Sequence, residues 1–584
     1  MKRTGAELVR FALEQIGVRF TFGIPGVHNT ELYDTLADSK TIRPVRVGHE
    51  GCAAFMADAV SRTSASIGTL LIVPAAGTTL ALSGMGEAFI AGIPMLVISG
   101  GVRSDSAFHH KVHELDQRQI VAGYTKAAFC IHEHREIVPA LYEAYRIAVD
   151  GEPGPVFVEI PANIQILAGD VDELPAFAAS ATDAPLDEEA LAGAVHLLEH
   201  AQRPGIFLGY GARGATDLAI ALAERLQAPV ATTLQGLSVF PASHPLHTGM
   251  SFGAAAVPAA QNAFADCDCV IAIGTRFSEI ATGGFTLDRT WQLVHVDIDA
   301  RVFNVNYDAD VAIRGDARQV LRALLDRLPA EASSNALDRG LALCEQIARD
   351  KRAYRDEWLA HDPQGRVNPL RFFDALRGAL DDEAIVVADD GNHTFLTAEL
   401  LPMDAGRQFI SPTEFNCMGY CIPAAIGAQL ANPDQRVVGI VGDGAFLMTC
   451  TELLTAVEAR LPIVYFVFHD GELSQVAQTQ ALPYQRKTCS VLPAYRLRGF
   501  AEATGAQYRA IANDGEIDDG IREAFAACPA GPVLVDVRID YSKATRFTKG
   551  FLKANFQRLP LGAKLRMAGR ALARRLTPLA VADE

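Results

Sequence analysis

The stretch from Val437 to Gln475 constrains the fold more than any other part of the chain. Arg436–Val441 (RVVGIV) is short, β-branched and preceded by Asn432-Pro433, the pattern of a buried strand. Gly442-Asp443-Gly444 stands at its carboxyl end. Thr449–Arg460 then reads as a helix with Leu453, Leu454 and Val457 on one face, and Pro462–Phe468 (PIVYFVF) as a second buried strand ended by His469-Asp470-Gly471. Two parallel strands joined by a helix set Asp443 and Asp470 on one sheet edge, where ligands bind in such folds. Glycines let backbone approach a phosphate, and helix N–H groups favour one. A carboxylate in that place repels phosphate unless a cation lies between, and Mg2+ takes a few carboxylates together with diphosphate oxygens and water. The local reading is a Mg2+-diphosphate site. The alternative is an ordinary strand–helix–strand turn, since Asp-Gly is common in turns.

The rest of the chain repeats the same alternation. Thr4–Ile16 reads as a helix, Arg19–Phe22 as a strand, Pro44–Val47 as a strand ending in Gly48-His49-Glu50, Gly51–Arg62 as a helix, and Ile67–Val73 and Met95–Ser99 as buried strands. A break rich in Ala, Ser, Asp and Pro near Pro175–Pro185 suits a linker. Beyond it, Gly205–Leu208 runs into Gly209-Tyr210-Gly211-Ala212-Arg213-Gly214, and Val270–Ile273 and Leu293–Ile298 complete a dinucleotide-type sheet. Ala384–Ala388 is a strand, and Pro532–Val537 closes the last sheet. At 584 residues about three domains are expected. They are 1–180, 185–335 and 360–540, all α/β with a mainly parallel, doubly wound sheet, followed by a tail at 541–584.

Composition excludes several classes. A net charge of −17 argues against general nucleic-acid binding. Ten scattered cysteines without a CxxC pair read as reduced thiols in cores. The amino terminus carries charges throughout and reads as an amphipathic helix, which points to the cytoplasm. Ile67–Gly101, the most apolar run, is broken by Pro74 and Pro94 and reads as globular core.

Asp470 follows Asp443 by 27 residues, and the Gly-Asp-Gly with a carboxylate or amide at about this distance resembles the signature of thiamine diphosphate (ThDP) enzymes. FGIPG, then HE, then AAFMADAVSR resembles the pyrimidine-binding domain of that family. The resemblance runs over about residues 1–545 and is nearest the acetolactate synthase branch. It implies that Asp443, Asp470 and the backbone carbonyl of Glu472 bind Mg2+. It places Gly391, Asn392, His393, Asn416, Gly442, Gly444 and Ala445 around the cofactor, and Met418 as the apolar wedge that bends it. Glu50 is the implied carboxylate that hydrogen-bonds the aminopyrimidine; without the resemblance it reads as a helix-terminal carboxylate. The cofactor of this family bridges the first domain of one subunit and the third of another, so a homodimer or homotetramer is implied.

Three departures bear on the reaction. Ala75-Ala76-Gly77-Thr78-Thr79-Leu80 stands where acetolactate synthase-type relatives carry Gly-Pro-Gly-x-x-Asn. His113-Glu114 stands where they carry Gln-Glu. His113 is therefore a candidate acid, base or carboxylate-binding group, its pKa suiting either task, with a surface histidine as the alternative. His28, His109 and His110 are weaker candidates. Gln475 takes the place of an apolar residue facing the substrate. The central domain implies FAD, ADP or no ligand, and Arg276 is a candidate phosphate partner.

The tail carries ten Lys or Arg from Lys543 to Arg575 against Asp583 and Glu584, with Leu561, Leu565, Ala568, Leu572 and Leu576 at helical spacing. This is the pattern of a peripheral membrane helix, or of one packed on the enzyme's own body. The expectation is a ThDP- and Mg2+-dependent lyase or carboligase for a 2-oxo acid. The alternatives are a simple 2-oxo-acid decarboxylase releasing an aldehyde, a membrane-docked FAD oxidase resembling pyruvate oxidase, and a non-catalytic scaffold.

Overall fold

The computed structural model describes residues 1–178, 185–404 and 408–576. Part of the expected linker, 179–184, and the acidic tail end with Asp583 and Glu584 lie outside the described residues. Three six-stranded sheets organise the chain, each parallel throughout. A short antiparallel pair, Lys2–Thr4 with Ala168–Asp170, ties the amino terminus back to the end of the first domain.

The amino-terminal sheet comprises β1 (Phe20–Gly23), β2 (Arg43–Arg46), β3 (Gly68–Ile72), β4 (Met95–Gly101), β5 (Ala127–Cys130) and β6 (Pro155–Pro161), in spatial order β2-β1-β3-β4-β6-β5. The central sheet comprises β7 (Pro204–Leu208), β8 (Val230–Thr232), β9 (His247–Met250), β10 (Cys269–Ile273), β11 (Gln292–Asp297) and β12 (Val311–Arg314), in order β9-β8-β7-β10-β11-β12. The carboxyl-terminal sheet comprises β13 (Ile385–Ala388), β14 (Gln408–Ile410), β15 (Val437–Gly442), β16 (Ile463–Phe468), β17 (Gln507–Ile511) and β18 (Val533–Val537), in order β14-β13-β15-β16-β18-β17. The central order is that of dinucleotide folds. The outer two sheets share one strand order, with their chain reversal between the first and third strands. Pro532–Val537 does not close its sheet: β18 lies inside it, and the edge is β17.

These strands form where the sequence is an unbroken apolar run, because helices cover both faces of a parallel sheet. Two helices are buried on nearly all sides: α1 (Glu50–Thr63) in the first domain and α2 (Cys421–Ala431) in the third. A helix apolar all round belongs in a core. They pack on each other, so the first and third domains share one hydrophobic core. At that seam Arg62 donates to Asp58 at 2.7 Å and Glu87 at 3.1 Å, and the Tyr420 hydroxyl donates to Asp58 at 2.6 Å.

The helix expected at Thr449–Arg460 starts earlier and ends sooner. It runs as α3 (Asp443–Thr449), a 3-10 turn at Cys450–Glu452, and α4 (Leu453–Glu458). Leu453 is buried as expected, but Leu454 is exposed and the charged Glu452 is buried. Among the described residues no helix is long and apolar enough to cross a membrane. After β18 the chain forms α6 (Arg546–Arg558) and α7 (Leu561–Leu576), with α5 (Ser474–Tyr484) lying earlier, beyond β16. Phe547 is buried and stacks on Phe395, and α6 begins where half-buried Glu399 accepts the N–H groups of Arg546 and Phe547. The first tail helix is thus packed on the body through Phe547 and the half-buried Glu399.

Candidate active site

The reversal point of the carboxyl-terminal sheet opens into a cavity of about 340 Å³. Its floor is the loop after β13. There Asp389, fully buried, accepts the N–H groups of Gly419 (2.9 Å), Asp390 (2.9 Å) and Cys421 (2.7 Å), which clamps the 416–421 segment against the strand end. Met418 from that segment lines the cavity. With its amide turned so that the nitrogen faces them, Asn416 donates to Asp390 Oδ1 at 3.1 Å and to the Thr413 carbonyl at 3.0 Å, which would hold Asp390, itself lining the cavity. Burial, then the neighbouring Asp389 charge, pushes the Asp390 carboxyl up to about 7.

Gly391, Asn392 and His393 follow. Gly391 has φ +149, and a Cβ there would lie 2.8 Å from the His393 ring; one on Gly442 would lie 3.1 Å from it. The His393 ring therefore sits beneath two glycine backbones and supports them. Burial pushes it down to about 3, which keeps it neutral, and its Nε2 has no partner among the described residues. Asn392 donates to Gln478 Oε1 at 3.2 Å and leaves its own carbonyl oxygen without a donor. Orphaned buried polar atoms beside a cavity mark a place for polar ligand atoms.

The opposite wall is the strand–helix–strand unit. Asp443, the first residue of α3, is 1% exposed; its two oxygens accept Gly444 N–H at 2.8 Å and Gly471 N–H at 2.7 Å. That second bond crosses from β15 to β16 and fixes the Asp470 corner against Asp443. Asp470 accepts the Ser474 hydroxyl. Burial, with a contribution from the Asp470 charge, pushes Asp443 up to about 6, and burial raises Asp470 as well. Two buried carboxylates raised in this way, beside glycine backbone at Gly442 and Gly444, fit a divalent cation with an anionic oxygen ligand. The Glu472 side chain turns away to Lys487, which leaves its backbone for the site. Among the described residues no three His, Cys, Asp or Glu side chains converge as a metal cluster. Ala445, Gln475 and Val476 line the same cavity. Tyr541, just beyond β18, also lines it; sequence reading missed it because nothing local marks a residue that follows the last strand.

Glu50, His113 and His28 are not in this cavity. They lie at the corresponding edge of the first sheet. Glu50 opens α1, is 5% exposed, and its Oε1 faces Gly77. Ala75, with φ +52, and Thr78 at 2.7 Å are held by Gln117 Oε1, which shapes that corner. The His28 and His113 rings meet edge to face at 5.2 Å, and burial, then His113, lowers the His28 pKa.

A second cleft, about 370 Å³, lies at the reversal point of the central sheet, between Gly209–Gly211 and Gly274–Arg276. A Cβ on Gly211 would stand 2.7 Å from Gly274 Cα, so backbone packing alone accounts for that glycine. Arg276 is held by Glu152 (3.4 Å) and Glu414 (3.5 Å), and Asp297 and Asp316 line the cleft. This acidic lining suits ribose hydroxyls better than a diphosphate.

Comparison with known proteins bears on all three domains. The thiamine pyrophosphate enzyme N-terminal TPP binding domain matches residues 3–120, the central domain 191–324 and the C-terminal TPP binding domain 389–537. The chain is 30% identical to the acetolactate synthase isozyme 1 large subunit of Escherichia coli, over 92% of this chain and 94% of that protein. It is 31% identical to a probable acetolactate synthase large subunit of Methanocaldococcus jannaschii, over 92% of each. It is 33% identical to a probable 2-ketoarginine decarboxylase of Pseudomonas aeruginosa, over 91% of this chain and 93% of that protein.

Proposed function

The chain belongs to the thiamine pyrophosphate enzyme family, and on that premise we propose that it is a ThDP- and Mg2+-dependent carboligase or lyase acting on a 2-oxo acid. The observation that carries this is the pairing of Asp443 and Asp470 across adjacent parallel strands at a glycine-lined cavity.

Asp443 and Asp470, with the Glu472 carbonyl, would hold Mg2+ against diphosphate oxygens. Gly442, Gly444, Ala445 and Gly391 let backbone approach those oxygens, and Asn392 orients around them. Met418 would press on the cofactor and fix its bend. The chemistry ThDP supplies when bound is nucleophilic addition to a 2-oxo carbonyl and storage of the electron pair left by CO2. Glu50, from the partner subunit, would hold a proton at its carboxylate against the aminopyrimidine, where exclusion of water strengthens the hydrogen bond. His113, backed by His28, would bind the substrate carboxylate or move a proton, and Gln475 would hydrogen-bond a polar substrate group.

The acetolactate synthase relatives support ligation to a second carbonyl. The decarboxylase relative and His113 support aldehyde release. CO2 release and products from a panel of 2-oxo acids, 2-ketoarginine among them, with ThDP and Mg2+, test this. A hydroxyketone-type product is expected; aldehyde alone favours the decarboxylase reading, and no CO2 from any substrate overturns both. Nucleotide binding in the central cleft rests on its strand order, and the absorption spectrum of the purified protein separates FAD from ADP or nothing.

A second reading concerns α7. Leu561, Leu565 and Leu572 are exposed among its cations, which supports peripheral contact with an anionic lipid surface. Pelleting with anionic but not zwitterionic vesicles is expected, and pelleting with neither overturns it.

A further inference from the structure

Glu452 is 1% exposed, although it stands on a helical turn whose neighbour Leu454 faces solvent. Both of its carboxylate oxygens lie 3.1 Å from the backbone N–H of Gly48, 404 residues away. Thr455 donates its hydroxyl to Oε1 at 2.6 Å. Cys52, in the first turn of α1, has its thiol pKa raised by burial and then by the Glu452 charge. A buried carboxylate held by neutral donors is costly, and it persists only where the surroundings use it.

What it grips is the β2–α1 corner, Gly48-His49-Glu50. A Cβ on Gly48 would lie 3.3 Å from Glu452 Oε2, so the corner and the carboxylate are in close contact. A second link joins the same elements at their exposed rim, where Arg46 on β2 meets Glu458 on α4 at 3.0 Å. Glu452 lies on the continuous helical run that begins at Asp443 and ends at Glu458. One end of that run is the proposed metal ligand of the third domain, and its middle clasps the backbone two residues before Glu50 of the first domain.

We infer that Glu452 is a positioning residue: its carboxylate sets the backbone that carries Glu50, and it links that setting to the Asp443 end of the same chain. The inference rests on the proposed role of Glu50. If the cofactor bridges subunits, Asp443 and Glu50 of one chain serve two different sites, and Glu452 then joins them through the Asp443–Glu452 helical run and its hydrogen bonds to Gly48.

The test uses the full-length protein with Mg2+ and ThDP. In Glu452→Ala, amide exchange of the peptide spanning Gly48 and Gly51 should accelerate at least about 10-fold. Turnover should fall by at least about 10-fold, with the KM for the 2-oxo acid and the Mg2+ half-saturation changed by less than about 3-fold. Glu452→Gln, which keeps one acceptor oxygen, should lie between. Gly48→Ala crowds the carboxylate from the other side and should reproduce the turnover loss if Glu452→Ala does not fold. Unchanged exchange at Gly48 in a folded Glu452→Ala overturns the inference. So does a loss in which Mg2+ affinity and thermal stability fall together with turnover, which marks a general structural role. Glu50→Gln is the control: if it retains turnover, the proposed role of Glu50 fails, while the exchange result still decides whether Glu452 sets the corner.

Discussion

Gly77 and Glu50 face each other across the edge of the first sheet, and a methyl group between them would fit only if a neighbour gave way. A Cβ on Gly77 would stand 3.2 Å from Glu50 Oε1 and 3.0 Å from Val73 Cγ2. Gly77→Ala should therefore shift the carboxylate and lower kcat about 10-fold or more, because orientation of the reacting groups carries much of such rate enhancements. The melting temperature should move by only a few degrees; an unchanged kcat would show that Glu50 has slack there. At the other wall, Asp443→Asn removes one of two charges facing the proposed cation. Calorimetric titration of ThDP at varied Mg2+ should give a half-saturation raised at least about 10-fold. Glu399 offers a pH handle away from the site. Burial pushes its carboxyl up to about 7, above the ordinary 4.5, so the folded chain binds that proton more tightly than the unfolded chain does. The stability it confers is fully present below the ordinary value and is lost as pH rises through about 7. The urea midpoint should fall between about pH 5 and about pH 8, and Glu399→Gln should remove on the order of 2–3 kcal/mol of that dependence.

At the scale of elements, the buried strands read from long apolar runs lie almost to the residue where expected, because a strand covered on both faces must be apolar without alternation, while Pro155–Pro161, equally buried between prolines, went unread. Ile463–Phe468 and Val437–Gly442 lie within a residue or so of their sequence readings. The helix between them was not. Gly442 and Gly444 read as a turn, so its start was placed at Thr449, whereas hydrogen bonds from Gly444 and Gly471 hold Asp443 as its first residue. Its faces differ as well: Leu454 reads as core but is exposed, and Glu452 is buried because Gly48, far away in the chain, is brought against its carboxylate. Motif residues were legible because they are local in sequence; Tyr541, Gln117 and Gln478 depend on the fold bringing distant segments together. The tail is a further case. Basic residues at helical spacing read as a peripheral membrane helix or as one packed on the body; α6 is anchored by Phe547, and α7 lies on α5, where Arg574 donates to the Tyr484 carbonyl at 2.5 Å and Arg570 sits 4.3 Å over the Tyr484 ring. Because α5 carries Gln475 along the cavity, removing residues 560–584 should loosen it. Faster amide exchange across 474–484 and a raised KM are the expected results, and unchanged exchange there would mean the α7 contact is idle.

The whole molecule repeats itself. The first and third sheets have one strand order, and each places its proposed cofactor-facing residues at or beside the reversal point. Their helices α1 and α2 bury one another, so within a chain the two domains already meet face to face, while Glu50 stays outside the Asp443 cavity. Mixing two inactive variants probes the pairing across chains. Glu50→Gln and Asp443→Asn, unfolded and refolded together in equal amounts, should recover about a quarter of wild-type activity, since one site of each mixed dimer is intact. Recovery no greater than either variant alone would place both residues of a site on one chain.

The cavity lined only by the third domain has a kinetic corollary. Under the proposed pairing, a lone chain is folded yet chemically blank, so the reaction order in enzyme exceeds one near the dissociation constant of the dimer. Serial dilution should lower activity per milligram while circular dichroism stays constant, with recovery on reconcentration. The concentration at which activity halves would then measure how tightly two copies hold each other.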